Sequence, residues 1–193
     1  MSAEVHQPVA GPPRAIGERH VPEVLTAAVA FALAAACFLH FGVTARAFIS
    51  ALFVVILSVL SSIDIERGIL PNRIVLPSTA VILVLQVAFF PHQGLEWVVS
   101  SLGAGLFFLL AYLTYRAAIG LGDVKFALLL GAGLGKAVVL GIFLGMFAAG
   151  IAGFVLIARQ GLEARKQTIP LGPFLALGAV ISLLLGGSDF VSF

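Results

Sequence analysis

AFISALFVVILSVLSSIDI, residues 47–65, runs from Ala47 to Ile63 without an ionisable group and then meets Asp64. The hydrocarbon core of a bilayer takes about 20 apolar residues per helix, and this stretch has that length. The pattern recurs at approximately 24–43, 74–90, 97–115, 124–135, 137–158 and 169–187. The chain therefore reads as an all-α, polytopic transmembrane helix bundle of six to seven spans. The run at 124–135 is short for a crossing, so it is expected to be tilted, re-entrant or buried among its neighbours.

Composition agrees with this reading. Of the 193 residues 61% are hydrophobic and only 10% charged, with mean hydropathy +1.14, far from the usage of a soluble domain. A net charge of +2 with scattered basic residues makes no nucleic-acid footprint, which leaves the lipid bilayer as the expected surroundings. Cys37 is the only cysteine, so neither an intrachain disulfide nor a Cys-rich zinc cluster is available. Residues 1–22 are polar and carry Pro8, Pro12, Pro13 and Pro22, the composition of a disordered cytoplasmic tail, which leaves 23–193 as one transmembrane domain. Ala34-Ala35-Ala36-Cys37 loosely matches a cleavage site, but the long polar segment before it favours a retained first span.

Lysine and arginine at span ends accumulate on the cytoplasmic side of a membrane. With the N-terminus inside and every run crossing, Arg14, Arg19, Arg67, Arg73, Arg116, Lys125, Arg159, Arg165 and Lys166 are cytoplasmic. Only Arg46 and Lys136 fall on the other side. This orientation puts Asp64 and Asp123 at the cytoplasmic ends of their helices and Asp189, the third aspartate, in a tail on the opposite face. Gly131, Gly133, Gly135, Gly141, Gly145, Ala149 and Gly153 read as sites of close helix packing. His40, His92, Trp97 and Tyr112 lie near span ends and read as interfacial residues.

Ionisable groups are costly in or near lipid and persist there mainly for function. Two carboxyls brought together cannot both ionise easily, so one keeps a proton while the other acts as a base. Such a pair can take a proton from water and give one to a carbonyl oxygen, the chemistry of an aspartic peptidase. Asp123 opens an apolar run after Gly120 and Gly122 and is expected in the first turn of a helix, where free N–H groups favour an acid. Those glycines leave space for a peptide backbone to approach. Each aspartate taken alone could equally cap a helix or pair with Arg67 or Lys125. Asp64, Glu66 and Asp123 could also offer oxygen ligands, but no histidine lies in these motifs and no metal is expected.

Gly120-Leu121-Gly122-Asp123 resembles the signature of the GxGD intramembrane aspartic proteases, and Gly-Asp-Val-Lys at 122–125 narrows the resemblance to the prepilin peptidase family. Asp64-Ile65-Glu66-Arg67-Gly68-Ile69-Leu70-Pro71-Asn72 is similar to the family's first aspartate segment, which leads into a Pro-Asn or Pro-Asp turn. Ile169-Pro170-Leu171-Gly172-Pro173-Phe174 is similar to its C-terminal Pro-Phe-Gly-Pro helix opening, with Leu171 where phenylalanine is commoner. The ordered set covers roughly residues 47–187. It implies a multi-pass protein of the cell membrane that cleaves the basic leader of type IV prepilins or pseudopilins at the cytoplasmic face, in the company of pilus or secretion machinery. It makes Asp64 and Asp123 the catalytic pair and Gly120, Gly122, Lys125, Pro170, Gly172 and Pro173 the supporting or substrate-binding residues, with no cofactor. Larger members carry an insert with paired CxxC motifs and N-methylate the product; here only about Gly42 to Arg46 separates the first two spans, so a peptidase-only form is expected. The competing reading is a proton-coupled transporter using the same two aspartates.

Overall fold

The computed structural model describes residues 22–115, 119–160 and 170–185. Seven α-helices follow in order among them: α1 (Glu23–Phe41), α2 (Ala45–Arg67), α3 (Asn72–Phe89), α4 (Gly94–Thr114), α5 (Leu121–Leu134), α6 (Val138–Gln160) and α7 (Gly172–Leu185). Backbone groups in lipid must be satisfied within their own segment, so each apolar run closes into a helix. Five helical stretches are long and apolar enough to cross a membrane, α5 and α6 being nearly continuous through a 3-10 turn at Gly135–Ala137. Apart from Pro22, the expected N-terminal tail lies outside the described residues, as do Asp189 and Ile169.

Short connections make successive helices alternate in direction, and cross-helix contacts fix which ends meet. Thr26 Oγ1 donates to Ser62 Oγ at 3.0 Å, joining the start of α1 to the end of α2. Phe38 and Phe48 meet edge to face at the other end of that pair. Lys136 forms a 3.0 Å ion pair with Glu96, tying the α5–α6 turn to the first turn of α4. Arg67, Arg73, Lys125 and Arg159 thus gather at one end of the bundle and Arg46 and Lys136 at the other. Both minority cations are compensated, Lys136 by Glu96 and Arg46 by the Phe90 ring 5.9 Å away. The remaining basic residues of the count lie outside the described residues.

The short fifth run is a buried helix. Phe126, Ala127, Leu129, Leu130 and Ala132 have no exposed surface, and α3, α4, α6 and α7 pack around α5. Close approach requires its glycines: a Cβ on Gly131 would run into the α4 backbone at Ser100 and Ser101, and one on Gly133 into the Phe53 ring of α2. Ser101 Oγ donates to the Leu128 carbonyl at 2.8 Å across the same contact. Trp97 differs from its interfacial reading. It is 7% exposed and lies over Gly135, whose φ of +57° already disfavours a side chain, so the indole fills a gap at the bundle end.

Antiparallel α6 and α7 meet through Gly141, Gly145 and Gly178. A Cβ on Gly178 would strike the backbone of Gly141 and Gly145, whereas nothing lies within 4 Å of one on Gly150. Gly178→Ala is expected to destabilise the protein by about 1–3 kcal/mol, the usual cost of overpacking. Gly150→Ala should be neutral. Thermal unfolding of both variants in detergent measures the difference.

Candidate active site

Asp64 lies in the last turn of α2 and is only 6% exposed. The helix ends where Gly68 turns left-handed, φ +63°, and donates its N–H to the Asp64 carbonyl at 2.8 Å. A carboxyl here sits at the negative end of its own helix dipole and gains nothing from α2. Its partner comes from another helix: the Gly172 N–H, at the start of α7, donates to Asp64 Oδ2 at 2.9 Å. That N–H is one of those a helix leaves unpaired in its first turn. Only glycine fits, because a Cβ at 172 would stand 2.7 Å from the same oxygen.

Asp123 occupies the first turn of α5, as its sequence context predicts. Its Oδ2 accepts the Gly120 N–H at 3.0 Å, and its own N–H donates to the Gly120 carbonyl at 3.1 Å. The capping role is therefore real, yet it engages one oxygen. In both aspartates the bonded atom is Oδ2, and among the described residues Oδ1 has no hydrogen bond.

The turn joining α2 to α3 locks the arrangement. Lys125 Nζ donates to Asn72 Oδ1 at 2.7 Å, bridging α5 to the first residue of α3. Leu70 is buried beneath it, 3.2 Å from where a Gly122 Cβ would stand. The small residue at 122 lets α5 pack on this turn. Among the described residues, Gly120 is the more open member of the pair, since a Cβ there would have only Asp123 Oδ2 and the Gly122 nitrogen within 4 Å. Pro170 and Pro173 flank Gly172 at the opening of α7. Asn72 and Leu70 went unassigned in the sequence, although the Pro-Asn turn that holds Asn72 was visible. Among the described residues no three His, Cys, Asp or Glu side chains are grouped together.

Comparison with known proteins covers the first two of these segments, 64–72 and 120–125. The model of the type IV leader peptidase family matches residues 51–157. A prepilin leader peptidase/N-methyltransferase of Stutzerimonas stutzeri is 31% identical over 161 residues, covering 80% of this chain and 55% of that protein. The protein of the same name from Bacillus subtilis (strain 168) is 28% identical over 166 residues, covering 81% and 63%. One from Burkholderia pseudomallei (strain 1026b) is 30% identical over 161 residues, covering 80% and 52%. The chain thus spans less than two thirds of the length of these curated relatives. No solved structure matches it. With more than half of its residues inside the family match, the chain belongs to the type IV leader peptidase family.

The Gly172 contact gives a direct test of the geometry. Gly172→Ala should displace the Asp64 carboxyl and cost about 1.5–3 kcal/mol, the range for a hydrogen bond to a charged group. Asp64→Asn retains an acceptor oxygen for the Gly172 N–H and should cost much less. Thermal midpoints in detergent, with the double variant to expose coupling, distinguish the two.

Proposed function

We propose that this member of the type IV leader peptidase family is a membrane aspartic endopeptidase that removes the basic leader of type IV prepilins or pseudopilins, with Asp64 and Asp123 activating the attacking water at the cytoplasmic face. One observation carries the reading. Three segments far apart in sequence, 64–72, 120–125 and 170–173, meet at one end of the bundle through Asp64–Gly172, Lys125–Asn72 and Gly122–Leu70. Both carboxyls lie at helix ends, and the same end of the bundle holds all three segments. A transport path would place such groups near mid-bilayer on broken helices.

In the proposed reaction one carboxyl is protonated and the other takes a proton from water as its oxygen attacks the scissile carbonyl. The protonated partner donates to the carbonyl oxygen, and collapse of the tetrahedral intermediate returns a proton to the leaving amine. Backbone N–H groups on each Oδ2 orient the carboxyls while Oδ1 is left for proton exchange. The orientation rests on the basic residues: Arg67, Arg73, Lys125 and Arg159 share the end that holds both aspartates. The relatives' names include methyl transfer; the linker at 42–44 between α1 and α2 is too short for the CxxC insert, and the proposal is for proteolysis alone.

Asp64→Asn and Asp123→Asn each keep their backbone acceptor, so each variant should fold while leader cleavage falls by about 10²–10⁴-fold or more, as for loss of an acid–base group. Glu66→Gln should be far milder. Cleavage of a prepilin peptide in proteoliposomes, followed through the new N-terminus, is the assay, and substantial turnover by either Asn variant rejects the pair. Mass spectrometry of the product after incubation with S-adenosylmethionine should show an unmodified α-amine; a mass gain of one methyl group would refute the peptidase-only reading.

A further inference from the structure

At the end of the bundle that carries Arg46 and Lys136, a cavity of about 40 Å³ is walled by Arg46 and Ser50 on α2, Gln86 on α3, Trp97 on α4, Leu134 on α5 and Leu183 on α7. It is remote from the candidate active site. Along α2, Ser50 and Asp64 are separated by about 21 Å, at 1.5 Å per residue.

Two of the side chains on this wall are buried polar groups that the protein leaves unpaired. Ser50 and Gln86 are each only 6% exposed, and neither side chain makes a hydrogen bond among the described residues. Other helical hydroxyls are spent on the carbonyl four residues back: Ser58 on Val54, Thr79 on Val75 and Thr114 on Leu110. Ser50 makes no such bond. The unpaired buried atoms sealed away from solvent among the described residues are Ser61 Oγ and Trp97 Nε1, and the polar atoms of Ser50 and Gln86 are not of that kind. They keep open surface, and the cavity is the opening beside them.

An amide and a hydroxyl both donate and accept hydrogen bonds, and so does water. An anion would use the donors alone and leave Gln86 Oε1 bare, while a cation would meet the Arg46 guanidinium. Hydrocarbon supplies no partner at all. A water takes roughly 10–15 Å³ of such a cavity, which leaves room for about two or three and excludes any organic molecule.

We propose that this cavity is a hydration site, in which about two or three ordered water molecules bridge Ser50 Oγ to the Gln86 amide. The bridge closes the α2–α3 pair at the end opposite its connecting turn: residues 68–71 join the two helices beside Asp64, and water joins them beside Arg46. The site is independent of the catalytic reading, so its test reads hydration and stability in place of cleavage.

Radiolytic hydroxyl-radical labelling of the full wild-type chain in detergent reports water where it is held. Trp97 and Leu183 should be labelled although they are buried, and Phe108, a buried core residue that does not line the cavity, should not. Ser50→Ala and Gln86→Leu should each lower the thermal midpoint by about 2–4 °C, the loss of about one hydrogen bond in a chain of this size. The double variant should fall no further than the worse single one, because both remove the same bridge, and its labelling at Trp97 and Leu183 should drop to the Phe108 level while exposed His92 is unchanged. A wild-type chain unlabelled at Trp97 and Leu183 overturns the proposal whether or not the variants fold. It is equally overturned if Gln86→Leu raises the midpoint or the two single shifts add in full, as for a dry cavity, or if the wild-type midpoint climbs with bromide at constant ionic strength, as for an anion site.

Discussion

A buried carboxyl in the last turn of a helix must find its hydrogen-bond donor elsewhere, and Asp64 finds it in the first N–H of α7, 108 residues away. The rest of the bundle is arranged around that requirement. Helix α7 must begin beside the end of α2, which makes it antiparallel to α6, and residue 172 must lack a side chain. Asp123 solves a milder version of the same problem within its own helix, where the free amide of Gly120 lies three residues away. Both acids therefore draw on the unpaired N–H groups of a 14-residue helix, one locally and one at long range.

Helices in lipid gain little from burying apolar side chains against one another, so contact depends on shape and on sparse polar bonds. Gly131, Gly141, Gly145 and Gly178 bring backbones together, Gly133 admits the Phe53 ring, and Ser101 and Ser182 add hydrogen bonds to carbonyls of neighbouring elements at 2.8 and 2.7 Å. These contacts determine where α5 lies, and α5 carries Asp123. The glycine pattern and the position of the second carboxyl are consequences of one packing arrangement.

Much of this was legible in the residues. Hydrophobic run lengths located all seven helices within a few residues, because a bilayer imposes its thickness on the chain. The count of basic residues divided the described cations between the two ends of the bundle as the structure does, and the context of Asp123 revealed a first-turn acid. Three features were hidden. Trp97 looked interfacial because position along a span says nothing about which neighbour covers it. The contact of Gly122 with Leu70 was hidden because glycine's smallness does not say which neighbour fills the space beside it. Asn72 and Lys125 stand 53 residues apart, and no local pattern announces a bond between them.

The enclosure of α5 has a consequence for biogenesis. A helix of 14 residues spans about 21 Å, short of the hydrocarbon thickness, and its surface is taken up by protein contacts. It has little lipid-facing stripe of its own, and Gly135 joins it directly to α6. Its main neighbours, α3 and α4, precede it in the chain, whereas its contacts with α7, the last helix described, come after. A chain that still lacks α7 would therefore be without the N–H that orients Asp64, while Asp123 would keep its own from Gly120.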